Sequence, residues 1–408
     1  MSPTRLSQRL SSPLLSIALA LLSAPHAAAQ DDTLRIGSWN LEFLGDPGQH
    51  RTVYLDNGGR EQLPPRTDDD LRRIGALVRE LGVSMLAIQE ICGEQAARDL
   101  AAAIGPTWRD VLGTTGGWND GATFQSLGFV YDGARLELLW AEELLDFPRE
   151  RDDLPIFHRV PVTACFRDRV TGIDFRAVTV HLKASMKPAD LQKRKLEATV
   201  LRDWIVLLQA TPGEDQDLVV LGDFNSTYGT DPQQVLEQAG VLRYLPQRVA
   251  EPTIMHFAEP IDQVAVAPAF TEVDPATFDA HGEAAAADPR AWRKTYSDHF
   301  PVTVTLRASA DDDPDAAFSR GAAEHRLPVA LRAGEPAAAT TVRAEATAPR
   351  AATTIATGAR VEVSVLEIGT VRGELLEPLG DWVVVLCDST GSVRAFPAVR
   401  VVQVRVAR

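Results

Sequence analysis

The sequence predicts an α/β (α+β) protein, a large layered domain followed by a small all-β, barrel-like domain. Three observations carry that prediction. From Leu34 to Leu306 short apolar runs alternate with segments of helical periodicity. At Ala308 the texture changes to an acidic, Pro-punctuated run and then to Ala, Thr, Arg and Pro with weak periodicity. From Arg360 a strict two-residue alternation begins.

Taken in order, the N-terminus is set aside first. Arg5 and Arg9 stand in a segment without acids, Leu14 to Leu22 is apolar, and Ala27-Ala28-Ala29 precedes Gln30. That is the three-part pattern of a secretory signal peptide, with cleavage expected after Ala29, and it predicts a secreted or periplasmic protein. The apolar run is about half the length needed to span a bilayer. No later stretch is longer, so no transmembrane segment is expected.

Strands are expected at Leu34 to Asn40, Met85 to Gln89, Leu127 to Tyr131, Ala177 to Leu182, Leu218 to Leu221, Gln263 to Ala267 and Val302 to Leu306. Helices are expected at Asp68 to Leu81, Gln95 to Ile104 and Ala189 to Gln209, where apolar residues recur near helical spacing and acids come early. Largely apolar strands alternating with helices imply sheets covered by helices. The run Ala310-Asp311-Asp312-Asp313-Pro314-Asp315 opens an expected linker, partly disordered. Val361 to Val365 and Val399 to Val406 alternate, Trp382 to Leu386 is apolar, and Gly369, Gly373, Gly380 and Gly391 mark turns. The expected organisation is therefore signal peptide 1–29, a large α/β domain 30–308, linker 309–356 and β domain 357–408. The last has no chemistry motif, and its partner is not readable.

Composition excludes several classes. The 408 residues are 45% hydrophobic, 24% charged and 6% aromatic, with 28 Gly and 26 Pro, which rules out collagenous, coiled-coil and wholly disordered chains. With 41 Lys+Arg against 56 Asp+Glu the net charge is −15, so a polyanion partner must be met by local basic residues or by metal ions. Cys92, Cys165 and Cys387 allow one disulfide at most, and Cys92 with Cys165 is the preferred pair because both lie in the large domain.

The polar motifs of the large domain stand at the ends of its expected strands. Singly, each has a bland explanation: a turn Asn at Asn40, a helix-start acid at Glu90, a satisfied core histidine at His181, an Asp/Asn turn at Asp223 and Asn225, a capping acid at Asp262, a turn histidine at His299. Together they read WNLE, LAIQE, FVYD, VHLK, GDFN, IDQVAV and SDHFPV along the chain. That series resembles the endonuclease/exonuclease/phosphatase superfamily, which includes the pancreatic-type deoxyribonucleases and the abasic-site nucleases. GDFN followed by SDH is its most specific part, and the resemblance spans Leu34 to Leu306.

The resemblance implies a four-layer α/β/β/α sandwich of the deoxyribonuclease type and a secreted, monomeric, metal-dependent endonuclease acting on DNA or also RNA. Phosphodiester hydrolysis needs an in-line water, neutralised non-bridging oxygens and help for the leaving alkoxide. Hard oxygen ligands suit a divalent cation, Mg²⁺ first with Ca²⁺ or Mn²⁺ as alternatives. By resemblance Glu90 is the principal metal carboxylate, with Asn40 and Asp298 completing the set and Glu42 at a position that is a second acid in some relatives. Asp223 positions the attacking water and Asn225 donates its amide to a phosphoryl oxygen. His299, oriented by Asp262, serves as base or phosphate contact, and His181 contacts or protonates the other side of the scissile bond. Lys183 is placed to reach a phosphate, and Tyr131 is a candidate substrate contact with a packing alternative. The run Lys193 to Lys195 reads as a solvated helix face.

One departure stands out. In the pancreatic-type enzymes the equivalent of His181 is paired with a Glu on the strand before FVYD, whereas Ala122-Thr123-Phe124-Gln125-Ser126 contains no acid. Gln125 is the substitute holder for the imidazole. Rival readings on the same scaffold are a phospholipid phosphodiesterase resembling bacterial sphingomyelinase, for which Trp118 is the lone exposed-loop aromatic, and a phosphomonoesterase. A non-catalytic binding protein has no need of Glu90, Asp223, Asp298 and His299 together.

Overall fold

The computed structural model describes residues 33–327 apart from 55–59, 117–124, 149, 152–153, 228, 246–250, 256, 284, 286–287, 308–310 and 322–324, and five strands between 360 and 406. The expected signal peptide, Trp118, residues 122–124 of the 122–126 stretch and the 328–356 part of the expected linker lie outside the described residues.

The chain opens with β1 (Thr33–Leu44) and a small ribbon, β2 (Thr52–Tyr54) with β3 (Arg60–Gln62). Then come α1 (Asp68–Leu81), β4 (Met85–Ile91), α2 (Glu94–Ile104), β5 (Trp108–Leu112), β6 (Ser126–Asp132) and β7 (Leu136–Glu143). A second ribbon, β8 (Glu150–Arg151) with β9 (Leu154–Pro155), precedes β10 (Val162–Asp168), β11 (Asp174–His181), α3 (Pro188–Gln209) and β12 (Leu218–Asp223). The domain closes with α4 (Asp231–Glu237), β13 (Arg243–Tyr244), β14 (Asp262–Val266), β15 (Val273–Ala280), α5 (Pro289–Thr295) and β16 (Val302–Arg307). The expected α1 begins at Asp68 because Thr67 caps it: its hydroxyl accepts from Asp70 N–H, the Asp70 carboxylate accepts from Thr67 N–H, and Gly82 at φ 66° ends it.

Two six-stranded sheets result, ordered β15-β16-β1-β4-β6-β5 and β13-β14-β12-β11-β10-β7. Their facing sides bury Leu34, Ile36, Met85, Ala87, Phe175, Ala177, Val219, Leu221 and Val264. The outer face of the first sheet packs Leu86 and Ile88 against Ile74, Val78 and Leu100 of α1 and α2. The outer face of the second packs Val178, Val180 and Val220 against Leu201, Ile205 and Leu208 of α3. This is the expected α/β/β/α sandwich, with each strand's two-residue period dividing its side chains between two cores.

Two expectations need correction. Cys92 and Cys165 are free thiols. Ala164 and Phe166 take the inter-sheet side of β10, so Cys165 between them faces away from the sheet that carries Cys92. Nor does the linker begin at 309. The main chains of Glu214 and Ala317 pair, Arg176 donates to Ser319 O at 2.9 Å, Glu142 accepts from Gly321 N–H at 2.8 Å, and Leu327 joins the inter-sheet core. Residues 311–321 and 325–327 thus form a strap on the second sheet, and the chain divides into compact units 1–335 and 336–408. Within the second unit, strands β17 (Arg360–Val365), β18 (Gly369–Leu375), β19 (Trp382–Cys387), β20 (Val393–Pro397) and β21 (Val401–Val406) form one antiparallel sheet in the order β20-β19-β18-β17-β21.

Candidate active site

Toward one end of the sandwich the inter-sheet layer turns polar. The positions that follow Leu34 and Ile36 on β1 are Ser38 and Asn40; Gln89 follows Ala87, Thr179 and His181 follow Ala177, Asp223 follows Leu221, and Asp262 precedes Val264. The site is therefore the polar continuation of the core. Gln89 pins the two sheets there, its Nε2 donating to Ser38 Oγ and to Thr179 Oγ1, each at 3.0 Å.

Backbone strain aims several of these groups. Glu42 (φ 44°), Glu90 (φ 59°) and Asn225 (φ 49°) all sit in the left-handed region, which costs a non-glycine residue on the order of 1–3 kcal/mol. Just before Asp223, Gly222 has φ 148°, and a Cβ there would lie 2.1 Å from Val180 O. Only glycine lets β12 approach β11 that closely.

Asp223 is the hub. Its Oδ2 accepts from Asn40 Nδ2 at 3.1 Å and stands 3.3 Å from His181 Nε2 and 3.7 Å from His299 Nε2. Its Oδ1 accepts from Asn225 N–H at 2.8 Å, while the Asn225 amide donates to Leu182 O at 3.0 Å. His299 Nδ1 lies 2.8 Å from Asp262 Oδ2, and its Nε2 is 3.9 Å from Asp298 Oδ1. Ser297 Oγ accepts from His299 N–H and donates to Asn40 O, fixing the SDH turn against β1.

The two histidines are held in opposite charge states. Burial works against a charged His299, but Asp262, Asp223 and Asp298 outweigh it and hold its pKa well above the ordinary value. His181 is held well below it by burial, Arg159, His299 and Lys183, and its Nδ1 is buried with no partner. Gln125 does not hold His181. Its Oε1 accepts from Arg159 at 2.7 Å, and Arg159 in turn donates to the carbonyls of His181 and Leu182, both at 3.2 Å. Burial and the neighbouring Asp298 push Glu90 up to about 7; burial also pushes Asp223 upward, with His299 opposing.

Glu42 belongs to a separate network. Arg51 and Arg293 lie 3.2 Å and 2.6 Å from its oxygens, and Arg66 lies at 3.8 Å. Burial and Asp298 push its pKa upward while Arg51, Arg293 and Arg66 pull it down; with three guanidinium partners we place it as an anion. Arg293 also reaches Asp298 Oδ2 at 3.3 Å, so this network orients Asp298 from behind. Glu90, 3.8 Å from His181 Nε2, is the carboxylate without such a clamp. Glu90, Asp298 and the Asn40 amide oxygen are a hard, all-oxygen donor set, and their mutually repelling carboxylates fit a divalent cation.

Other expected residues take different places. Tyr131 pairs with Met85 at the far end of β4 and packs edge-on to Phe166, so it belongs to the core. Lys183 Nζ lies 3.5 Å from Asp190. Lys193 and Arg194 are buried, correcting the solvated-face reading; Arg194 donates to Lys183 O at 2.8 Å, and Lys195 alone is exposed, 3.3 Å from Asp231. Sequence reasoning missed Gln89 as the inter-sheet link, the Glu42 clamp and Arg159. The signal for Arg159 was one cation inside the apolar run Ile156 to Val162. Beside the SDH turn, an open groove of about 360 Å³ is lined by Ile254, Met255, Gly282 and Phe300.

Comparison with known proteins bears on what this arrangement does. A family model described as the Endonuclease/Exonuclease/phosphatase family matches residues 37–299. A curated relative named deoxyribonuclease, from Thioalkalivibrio sp. (strain K90mix), is 28% identical over 215 residues, 51% of this chain and 50% of that protein. The chain thus spans about half the length of the curated relative it matches. Among solved structures, the mannosyl-6-phosphatase Bt3783 of Bacteroides thetaiotaomicron VPI-5482 is 17% identical with a TM-score of 0.44, covering 66% of this chain and 98% of that one. An endonuclease/exonuclease/phosphatase from Bacteroides vulgatus is 18% identical with a TM-score of 0.45, covering 67% and 98%.

Proposed function

Since the chain belongs to the endonuclease/exonuclease/phosphatase family, we propose that it is a secreted, divalent-cation-dependent phosphodiesterase that cleaves DNA internally. The observation that carries this reading is the convergence of Asn40, His181 and His299 on one oxygen of Asp223. A buried carboxylate flanked by one neutral and one charged imidazole can orient a water on one side of a phosphate while a proton donor waits nearby. The relative named deoxyribonuclease supports DNA as the substrate.

In this reading Glu90, Asn40 and Asp298 would hold a divalent cation, which would supply charge neutralisation to the phosphate and the departing oxygen. Asp223 accepts a hydrogen bond from the attacking water. Charged His299, held by Asp262, faces the phosphate, and the second amide hydrogen of Asn225 is available to a phosphoryl oxygen. Neutral His181 and buried Arg159 close the other side. The protein is proposed to act outside the cytoplasm, on the strength of the N-terminal pattern alone.

The test is to incubate purified protein with supercoiled plasmid, RNA, sphingomyelin and a phosphomonoester, each with MgCl₂, MnCl₂, CaCl₂ or chelator. Nicking and linearisation of the plasmid, abolished by chelator, is the expected result. Release of phosphate from the monoester or phosphocholine from sphingomyelin, with intact plasmid, overturns the DNA assignment.

A further inference from the structure

The pole opposite the candidate site carries a second group of acids that the proposed chemistry does not use. Asp215 and Asp217 stand just before β12, Glu272 just before β15, and Asp311 to Asp313 after β16. By the two-residue period Asp217 shares the inter-sheet face with Asp223, six residues further on, so the two poles are about 20 Å apart. Oxygens of Asp217, Glu272, Asp311 and Asp312 lie within 4.8 Å of one another, and so do those of Asp215, Asp217 and Asp313.

These are not solvated surface acids. Asp217 is 1% exposed, Asp215 3% and Glu272 5%. Asp215 Oδ2 and Asp217 Oδ2 are buried with no hydrogen-bond donor, and the Glu272 carboxylate is held only by the nearby backbone N–H groups of Glu272 and Asp312. The charged groups acting most on Asp217 are Glu272, Asp215, Asp313 and Asp312, all acids. One more acid, Asp174, adjoins Asp215, Asp311 and Asp313, and it is paired with Arg167. Unpaired carboxylates aimed at a common point in the interior are strongly unfavourable without a counter-charge.

We propose that this pole binds a divalent cation of the calcium class, with Asp217 common to both carboxylate groups, and that the cation fastens residues 311–313 to the core. The donors are all hard oxygens, which disfavours zinc. Oxygens that all lie within 4.8 Å of one another can share one cation, and a set with this many carboxylates suits the six to eight oxygen ligands of Ca²⁺ better than Mg²⁺, which keeps several of its waters and takes one or two carboxylates. The strap is already shaped to bring its acids in: Thr271 Oγ1 donates to Asp312 Oδ2 at 2.9 Å, and Asp313 N–H donates to Asp311 Oδ1 at 3.2 Å. Nothing in this site depends on the phosphodiesterase reading.

The experiment compares thermal unfolding of the full chain in chelator, in MgCl₂ and in CaCl₂, for wild type, Glu90→Gln and the double variant Asp217→Asn with Asp311→Asn. CaCl₂ should raise the Tm of wild type and Glu90→Gln alike, by roughly 3–5 °C at a hundredfold excess over Kd, and MgCl₂ should raise it less. The double variant, relieved of repulsion, should melt above chelated wild type and ignore CaCl₂. Proteolysis between 308 and 321 should be slowed by CaCl₂ in wild type only. Should the double variant not fold, Asp312→Asn at its exposed position replaces it, with a weakened calcium titration by calorimetry expected. An unchanged Tm of wild type in CaCl₂, or an equal calcium response in the Asn variants, overturns the proposal and leaves the cluster as a set of shared protons.

Discussion

Asp262→Asn tests the charge arrangement of the candidate site most directly. The substitution keeps size and removes the anion 2.8 Å from His299 Nδ1. At an effective dielectric near 20, opposite charges that close attract by about 6 kcal/mol. Desolvation and the remaining anions Asp223 and Asp298 offset part of this, so a net loss of about 3 kcal/mol is expected, at the low end for breaking a buried pair. The loss lowers the His299 pKa back toward its ordinary value. For stability the sign is fixed. A raised histidine contributes below its unfolded value of about 6.5, and that contribution is lost only as pH rises through the folded value. In the Asn variant the loss moves to lower pH. In catalysis, kcat on plasmid DNA should fall by about 10²-fold or more. If Asp262 acts through His299, the double variant Asp262→Asn with His299→Ala should be no worse than His299→Ala beyond about threefold. The assays are ¹⁵N NMR of the imidazoles across pH and single-turnover cleavage. An unmoved His299 titration, or losses that multiply in the double variant, refutes the reasoning.

Further expectations are as direct. Glu90→Gln should lose nearly all cleavage with an unchanged circular dichroism spectrum, and chelation should do the same to wild type; activity that persists in chelator removes Glu90 from its proposed role. In chelator, thermal stability should fall as pH rises, because burial and like charges hold Asp217 up to about 10 and Glu90 up to about 7, so that the folded chain binds more protons than the unfolded one; a Tm that climbs with pH contradicts this. Gly222→Ala should prevent soluble expression or lower Tm by many degrees, since the added carbon meets Val180 O at 2.1 Å; a normal melting curve would show that β11 and β12 can spread. A chain ending after Leu327 should fold and cleave, whereas one ending after Arg307 should lose at least about 2 kcal/mol, because it strips Ser319 from buried Arg176 and Leu327 from the core; equal melting of the two truncations would count against the strap.

Much of the fold was legible because both periodicities were clean. Short, largely apolar runs such as Leu34 to Asn40 and Ala177 to Leu182 marked the strands, and the polar motifs at their ends, with Asn40, His181 and Asp223, marked the site once read together. Thr67 and Asp70 fixed the start of α1 through a local hydrogen-bond pair. What sequence could not give was partnership between single residues far apart. Arg51, Arg66 and Arg293 are 242 or fewer positions from one another, and no spacing rule joins them around Glu42. Gln125 stood where an imidazole holder was wanted, yet the guanidinium of Arg159 took it. The acidic run at 311 read as a solvated linker because its buried counterparts, Asp217 and Glu272, lie at unrelated strand ends.

The strap has a bearing on solubility as well as on the core. β7 is the last strand of the second sheet, and its outer backbone groups would otherwise be free to pair with another molecule. Leu327 N–H donates to Ala141 O at 3.0 Å, and Glu142 pairs with Arg326 as an isolated bridge, so the returning chain occupies part of that edge. The opposite edge of the sheet is β13, only two residues long. A chain that loses the strap would expose a paired-strand template beside Trp140, and its first failure would be edge-to-edge association between copies rather than loss of catalytic geometry.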